Sequence, residues 1–232
     1  MFLEGAHRAG RPRGRATLPA TIGAIGDSRR MWTIDQRKMG EAIDRVVSIE
    51  ITGRGVIGDL YAAARAAHGD ALCLDAAARL LARVRKGDVV FFATGLPTYP
   101  WLSGERDGPA GAATLARALV VAVGARSVVV TDPVNVDICR AALGGAGLDV
   151  RPLEDVARLP TTAAVLPFPL GWEQARGRAR ELLDGLESAA LIAIERPGPT
   201  SGGTTIHRAA GASRTTAARS TRCSTWRAAG AR

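Results

Sequence analysis

Residues 88–95 read DVVFFATG, and how they are read decides the fold. Val89 to Ala93 are five apolar residues in a row, and Gly95 punctuates the run two positions later. So short and continuous an apolar run predicts a strand buried on both faces, as in parallel sheets covered by helices on either side. The downstream sequence agrees. A loop leads into a helix from about Pro109 to Val123 with Ala112, Leu115, Ala116, Leu119 and Val123 on one face, and then into a second strand, SVVVTD, at 127–132. Strand, helix and strand in that order make a parallel pair joined by a right-handed crossover.

The pattern continues in both directions. Downstream come a helix at about 134–146, a strand LDVRPL (148–153), an apolar AAVLPF (163–168), a helix at about 172–188 and a strand AALIAIE (189–195). Upstream, QRKMGEAIDRVV (36–47) places Met39, Ile43, Val46 and Val47 at helical spacing. VIGDLYAAARAAHG (56–69) is a second helix closed by Gly69, and LDAAARLLARV (74–84) a third that stops at Lys86 and Gly87. The fold class is therefore α/β: an open, mostly parallel sheet with helices on both faces, a Rossmann-like three-layer arrangement. No internal repeat is visible.

The formal charge of the chain is +9, but it is concentrated at the ends. Residues 1–30 hold six arginines against two acids, a balance of +4, and residues 204–232 hold six arginines and no acid. The stretch between them carries −1, so the basic character does not belong to the folded part. The tail has one branched aliphatic, Ile206, and cannot offset the entropy of its own ordering. The expected organisation is a disordered extension at 1–30, an α/β domain at 31–203 and a basic disordered tail at 204–232. Any nucleic-acid contact would be non-specific and made through the basic ends. Cys73, Cys139 and Cys223 show neither a CxxC spacing nor a nearby histidine, which fits a reducing cytosol better than a zinc site or a disulfide framework. No stretch reaches the roughly 18 apolar residues of a membrane span, so a soluble, cytoplasmic protein is expected, and a homo-oligomer is left open.

In open α/β sheets, ligands bind outside the carboxyl ends of the strands. Three strands end informatively: ATG at Gly95, VTDP at Asp132 and IERPG at Glu195. The loop SGERDGPAGA (103–112) opens on the same rim. Asp107 is placed to cap the helix that follows, with Pro109 in its first turn, or to serve a site, and the two roles can coexist. Glu105 has no helical duty and is either a solvated loop carboxylate or functional. Asp132 is a cap or an acid facing the crevice, and Glu195 reads as exposed and paired with Arg196 or another arginine. His68 reads as a surface residue and Cys139 as core. Gly108 and Gly111 would let backbone approach a ligand, and the helix start behind them offers N–H donors to an anion. No phosphate-binding glycine loop matches, so no nucleotide cofactor is expected.

GDVVFFATG, GERDGPAGAATLARAL, VVVTD and AALIAIERPG resemble, in order and spacing, the C-terminal domain of the D-glutamate cyclase family, over roughly residues 40–203. That resemblance implies a lyase that closes D-glutamate to 5-oxo-D-proline with loss of water. It implies Glu105, Asp107 and Asp132 as catalytic and cation-binding acids, with Mg²⁺ or Mn²⁺ as the ion. It also implies that Gly95, Gly108, Pro109, Gly111, Ala112, Glu195 and Gly198 contact a small acidic substrate. Two features depart from the family pattern. Arg106 stands where a threonine is usual, and the arginine-rich tail replaces a glycine- and acid-rich segment after ERPG. A truncated or frameshifted copy with little or no activity is the expectation from that tail. The alternatives are a metal-dependent phosphatase using the same acids, or a non-catalytic module that binds acidic metabolites and carries polyanion-binding ends.

Overall fold

The computed structural model describes residues 32–196 except 52, 54, 70, 96, 99–102 and 170–171. The expected terminal extension and tail, and Gly198, lie outside the described residues. Three helices come first: α1 (Ile34–Val47), α2 (Ile57–His68) and α3 (Leu72–Arg83). Strand β1 (Val89–Thr94) follows, then a small antiparallel hairpin, β2 (Pro97–Thr98) with β3 (Ser103–Gly104), and helix α4 (Asp107–Val123). The remaining elements are β4 (Arg126–Thr131), α5 (Val136–Gly145), β5 (Asp149–Val150), a one-turn α6 (Leu153–Val156), β6 (Thr162–Pro167), α7 (Trp172–Gly185) and β7 (Ser188–Ile194). The hairpin, α6 and a 3-10 turn at Pro133–Asn135 are too short to leave a periodic trace in the sequence.

Five strands form one sheet in the order β5-β6-β4-β1-β7, and every pairing in it is parallel. β1 is buried along its whole length, as its apolar run requires. Its alternate residues feed two cores. Val90 and Phe92 pack with Ala112, Ala116 and Leu119 of α4 and Leu143 of α5, while Phe91 and Ala93 pack with Ala175, Ala179 and Leu182 of α7. α4 and α5 therefore cover one face and α7 the other, which makes the three-layer open α/β fold expected from the sequence. Starting from β1, the chain winds out through β4 and returns to place β7 on the opposite side of β1. The crevice at such a reversal lies outside the carboxyl ends of the central strands.

α1 does not turn its apolar residues inward. Met39, Ile43, Val46 and Val47 are 63, 44, 66 and 67% exposed, and the buried positions of the helix are Gly40 and Asp44. The reason is close helix packing. A β-carbon on Gly40 would lie 3.1 Å from Leu74 Cβ and 3.3 Å from Ala71 Cβ, so α1 meets α3 along its smallest residue. The capping box at Thr33 and Gln36 starts α1 as such a motif should, with reciprocal bonds of 3.2 and 2.8 Å. Gly69 closes α2 in the left-handed conformation at φ 75°, as expected.

Candidate functional site

The parallel register brings the ends of three neighbouring strands to one edge. Thr94 and Gly95 end β1, Thr131 and Asp132 end β4, and Ile194 leads to Glu195 and Arg196 at the end of β7. α4 begins over the same edge, and Gly108 lets it come close. A β-carbon there would stand 2.7 Å from Thr94 Oγ1 and 2.8 Å from Glu195 Cβ, so any side chain would push the helix start off the strand ends. Gly95, at φ 106°, is equally tight: its missing β-carbon would meet Thr131 Oγ1 at 2.5 Å and Asn135 Nδ2 at 2.7 Å.

This packing gathers carboxylates from segments about 90 residues apart in sequence. Oxygens of Glu105, Asp107 and Glu195 lie within 4.8 Å of one another, with Glu105 half-buried and the other two exposed. The three come from the loop after β3, the first residue of α4 and the residue after β7. Asp107 is not the N-cap expected from sequence. The helix starts at Asp107 itself, behind Arg106, and Asp107 Oδ1 accepts the Gly108 N–H at 3.0 Å. Gly108, Pro109 and Ala112 are buried under the loop, and Gly111 packs toward Ile194.

Asp132 lies apart from those three oxygens. Its side chain makes no capping bond to the 3-10 turn that follows it. Instead Arg196 Nη2 donates to Asp132 Oδ1 at 2.8 Å and Nη1 to Oδ2 at 2.9 Å, a two-pronged ion pair in which both side chains are 2% exposed. Arg196 Nη1 also donates to the Gly95 carbonyl at 2.6 Å. Of the arginines open to Glu195 by sequence, Arg196 sends its fork past β1 to Asp132 instead. Glu195 sits at φ 47°, one of two non-glycine residues with positive φ among those described. Strain of this kind, worth about 1–3 kcal/mol, persists only where its surroundings over-determine it.

The rim also holds polar groups that sequence reasoning missed. Thr94 Oγ1, Thr131 Oγ1 and both amide atoms of Asn135 are buried and have no oxygen or nitrogen partner among the described residues. Each such group costs about 1–3 kcal/mol when left unpaired. A polar residue at the end of an apolar strand was the available signal for Thr94 and Thr131, and none marked Asn135. Cys139, by contrast, is plain core: burial pushes its thiol up to about 11, with Thr131 pulling the other way. His68 stands at 3.6 Å from Asp75 on the far helices.

As a donor set, three carboxylates suit a hard divalent cation, which takes oxygen ligands, and they match no soft-metal pattern. Among the described residues no helix is long and apolar enough to cross a membrane. The family model for "D-glutamate cyclase-like, C-terminal" matches residues 65–213, from within α2 to beyond the last described strand. No curated protein and no solved structure matches the chain.

Proposed function

Because the chain belongs to the D-glutamate cyclase-like, C-terminal family, we propose that its rim closes D-glutamate to 5-oxo-D-proline with loss of water. The observation that carries this reading is the meeting of Glu105, Asp107 and Glu195 at the strand edge where α/β folds bind small ligands. In the reaction the α-nitrogen must lose two protons and attack the side-chain carboxyl carbon. The C–N bond forms, the C–O bond breaks, and both protons leave with that oxygen as water.

Glu105 is the half-buried acid of the three; with one oxygen turned to the cluster, its other oxygen is the base that takes protons from the nitrogen and passes them to the departing oxygen. Holding the substrate folded supplies much of the remaining acceleration, since well-oriented intramolecular reactions reach effective molarities of about 10⁵ M or more. Three carboxylates would repel a substrate with two carboxylates of its own. A divalent cation, Mg²⁺ or Mn²⁺, held by Glu105, Asp107 and Glu195 would offset that repulsion and polarise the carboxyl under attack. Thr94 and Asn135, with buried and unpaired polar atoms beside Gly108 and Gly95, are the neutral groups available to orient the substrate.

The test is to incubate the full chain with D-glutamate and Mn²⁺ and follow 5-oxoproline by NMR, with L-glutamate and p-nitrophenyl phosphate in parallel. Slow, cation-dependent formation of 5-oxoproline from D-glutamate is expected, and Glu105→Gln should lower it by several orders of magnitude. Hydrolysis of the phosphate ester without any lactam would favour the phosphatase reading, and near-normal turnover in Glu105→Gln would remove that residue from the mechanism.

A further inference from the structure

Building on the cation reading above, we propose that Asp132 and Arg196 are a positioning pair that sets Glu195 as the third cation ligand, and that neither touches the ion or the substrate. Both side chains are sealed from solvent, and the two prongs of Arg196 are occupied by the two oxygens of Asp132. Asp132 is thus committed to the guanidinium and is not among the acids whose oxygens meet within 4.8 Å, although its place at a strand end suggested a ligand. What the pair does control is the exit of β7. Arg196 is tied to Asp132 after β4 and to the Gly95 carbonyl after β1, so the chain just beyond Glu195 is anchored across two strands.

Glu195 lies between this anchor and the last ladder position, Thr94 with Ile194. Its backbone takes the left-handed conformation that a glutamate rarely adopts, and its Cβ lies where a side chain on Gly108 would have to go. The result is that the Glu195 carboxylate comes to Glu105 and Asp107 across the start of α4. Without the anchor, an ordinary extended exit from β7 would carry the Glu195 side chain elsewhere. Buried groups that orient ligands commonly contribute about 10–100-fold to metal affinity without touching the metal.

The experiment is Mn²⁺ titration of the full chain by calorimetry and EPR, with urea unfolding of each variant in the absence of metal. Glu105→Gln and Glu195→Gln should each weaken Mn²⁺ binding by about tenfold or more. The decisive variant replaces both buried charges at once, Asp132→Leu with Arg196→Met, because swapping a buried ion pair for apolar groups usually leaves stability intact. It should unfold at the wild-type urea concentration yet bind Mn²⁺ about 10–100-fold more weakly. If it is folded and binds as wild type while Glu195→Gln does not, the positioning role is wrong and the cation site stands. If wild type itself fails to bind Mn²⁺, or both glutamine variants bind normally, the cation reading fails and the proposal fails with it. Should the double variant not fold, Arg196→Lys keeps the charge but loses the fork. Weakened Mn²⁺ binding there supports the pair, and unchanged binding overturns it.

Discussion

Asp44 and Asp132 are both buried, at 0 and 1% exposure, yet they do different work. Asp44 belongs to the helical layer. It accepts the Leu72 N–H at 2.7 Å, the Cys73 N–H at 2.9 Å and the Tyr61 hydroxyl at 3.0 Å, with Arg65 at 3.7 Å, so it caps α3 from α1 and ties in α2. Both of its oxygens are used by structure. Asp132 belongs to the sheet edge, where one arginine fork holds it among buried polar atoms that lack partners and beside a glutamate in a strained conformation. A buried acid whose two oxygens both accept from backbone N–H groups and a hydroxyl that the helices supply is architecture. One surrounded by unsatisfied and strained groups marks a region that the fold stabilises from elsewhere, as functional sites are.

Breaking each acid's contacts sharpens that contrast. The largest effect is expected from Arg196→Met alone, which leaves Asp132 buried and uncompensated and should lower stability by about 3–5 kcal/mol in urea unfolding. Asp44→Asn should lower it by about 1.5–3 kcal/mol, since it weakens several hydrogen bonds to a charged group but keeps the shape. Its pH dependence gives a second handle. Burial pushes the Asp44 carboxyl up, but the hydrogen bonds from Cys73, Leu72 and Tyr61 outweigh it and hold the group below its ordinary value. A group depressed in the folded state contributes fully above its unfolded pKa of about 3.9 and loses that contribution as pH falls through the folded value. The stability gap between wild type and Asp44→Asn should therefore be full near neutrality and close on acidification below about pH 4. The smallest effect has the opposite sign. Glu195→Gly relieves the left-handed backbone and should raise stability by about 1 kcal/mol, read as an upward shift in Tm, while removing a carboxylate from the cluster.

Much of the fold was legible because β1 is an unbroken apolar run closed by glycine and α4 carries a clear helical period, and the shared edge of Gly95, Asp132 and Glu195 follows once the strands are parallel. The assembly within that edge was not legible. Arg196 and Asp132 are 64 residues apart, and a local reading of ERPG gives the arginine to its neighbour Glu195. The left-handed turn at Glu195 has no sequence marker, since glycine or asparagine is the usual occupant of that conformation. The buried face of α1 was not legible, because contact with α3 selects the small Gly40 and the capping Asp44 over the apolar Met39 and Ile43. Periodicity reports which residues prefer to leave water, and here close approach and capping chose otherwise.

The central claim is that Glu105, Asp107 and Glu195 form one oxygen site at the carboxyl edge, separate from the buried Asp132–Arg196 pair. Crystals grown with Mn²⁺ and measured at its absorption edge test it most directly. The account predicts an anomalous peak within about 2.5 Å of oxygens from all three acids, with the Asp132–Arg196 fork intact. A peak bound through Asp132, or a Mn²⁺-saturated crystal with none at the three acids, would contradict it.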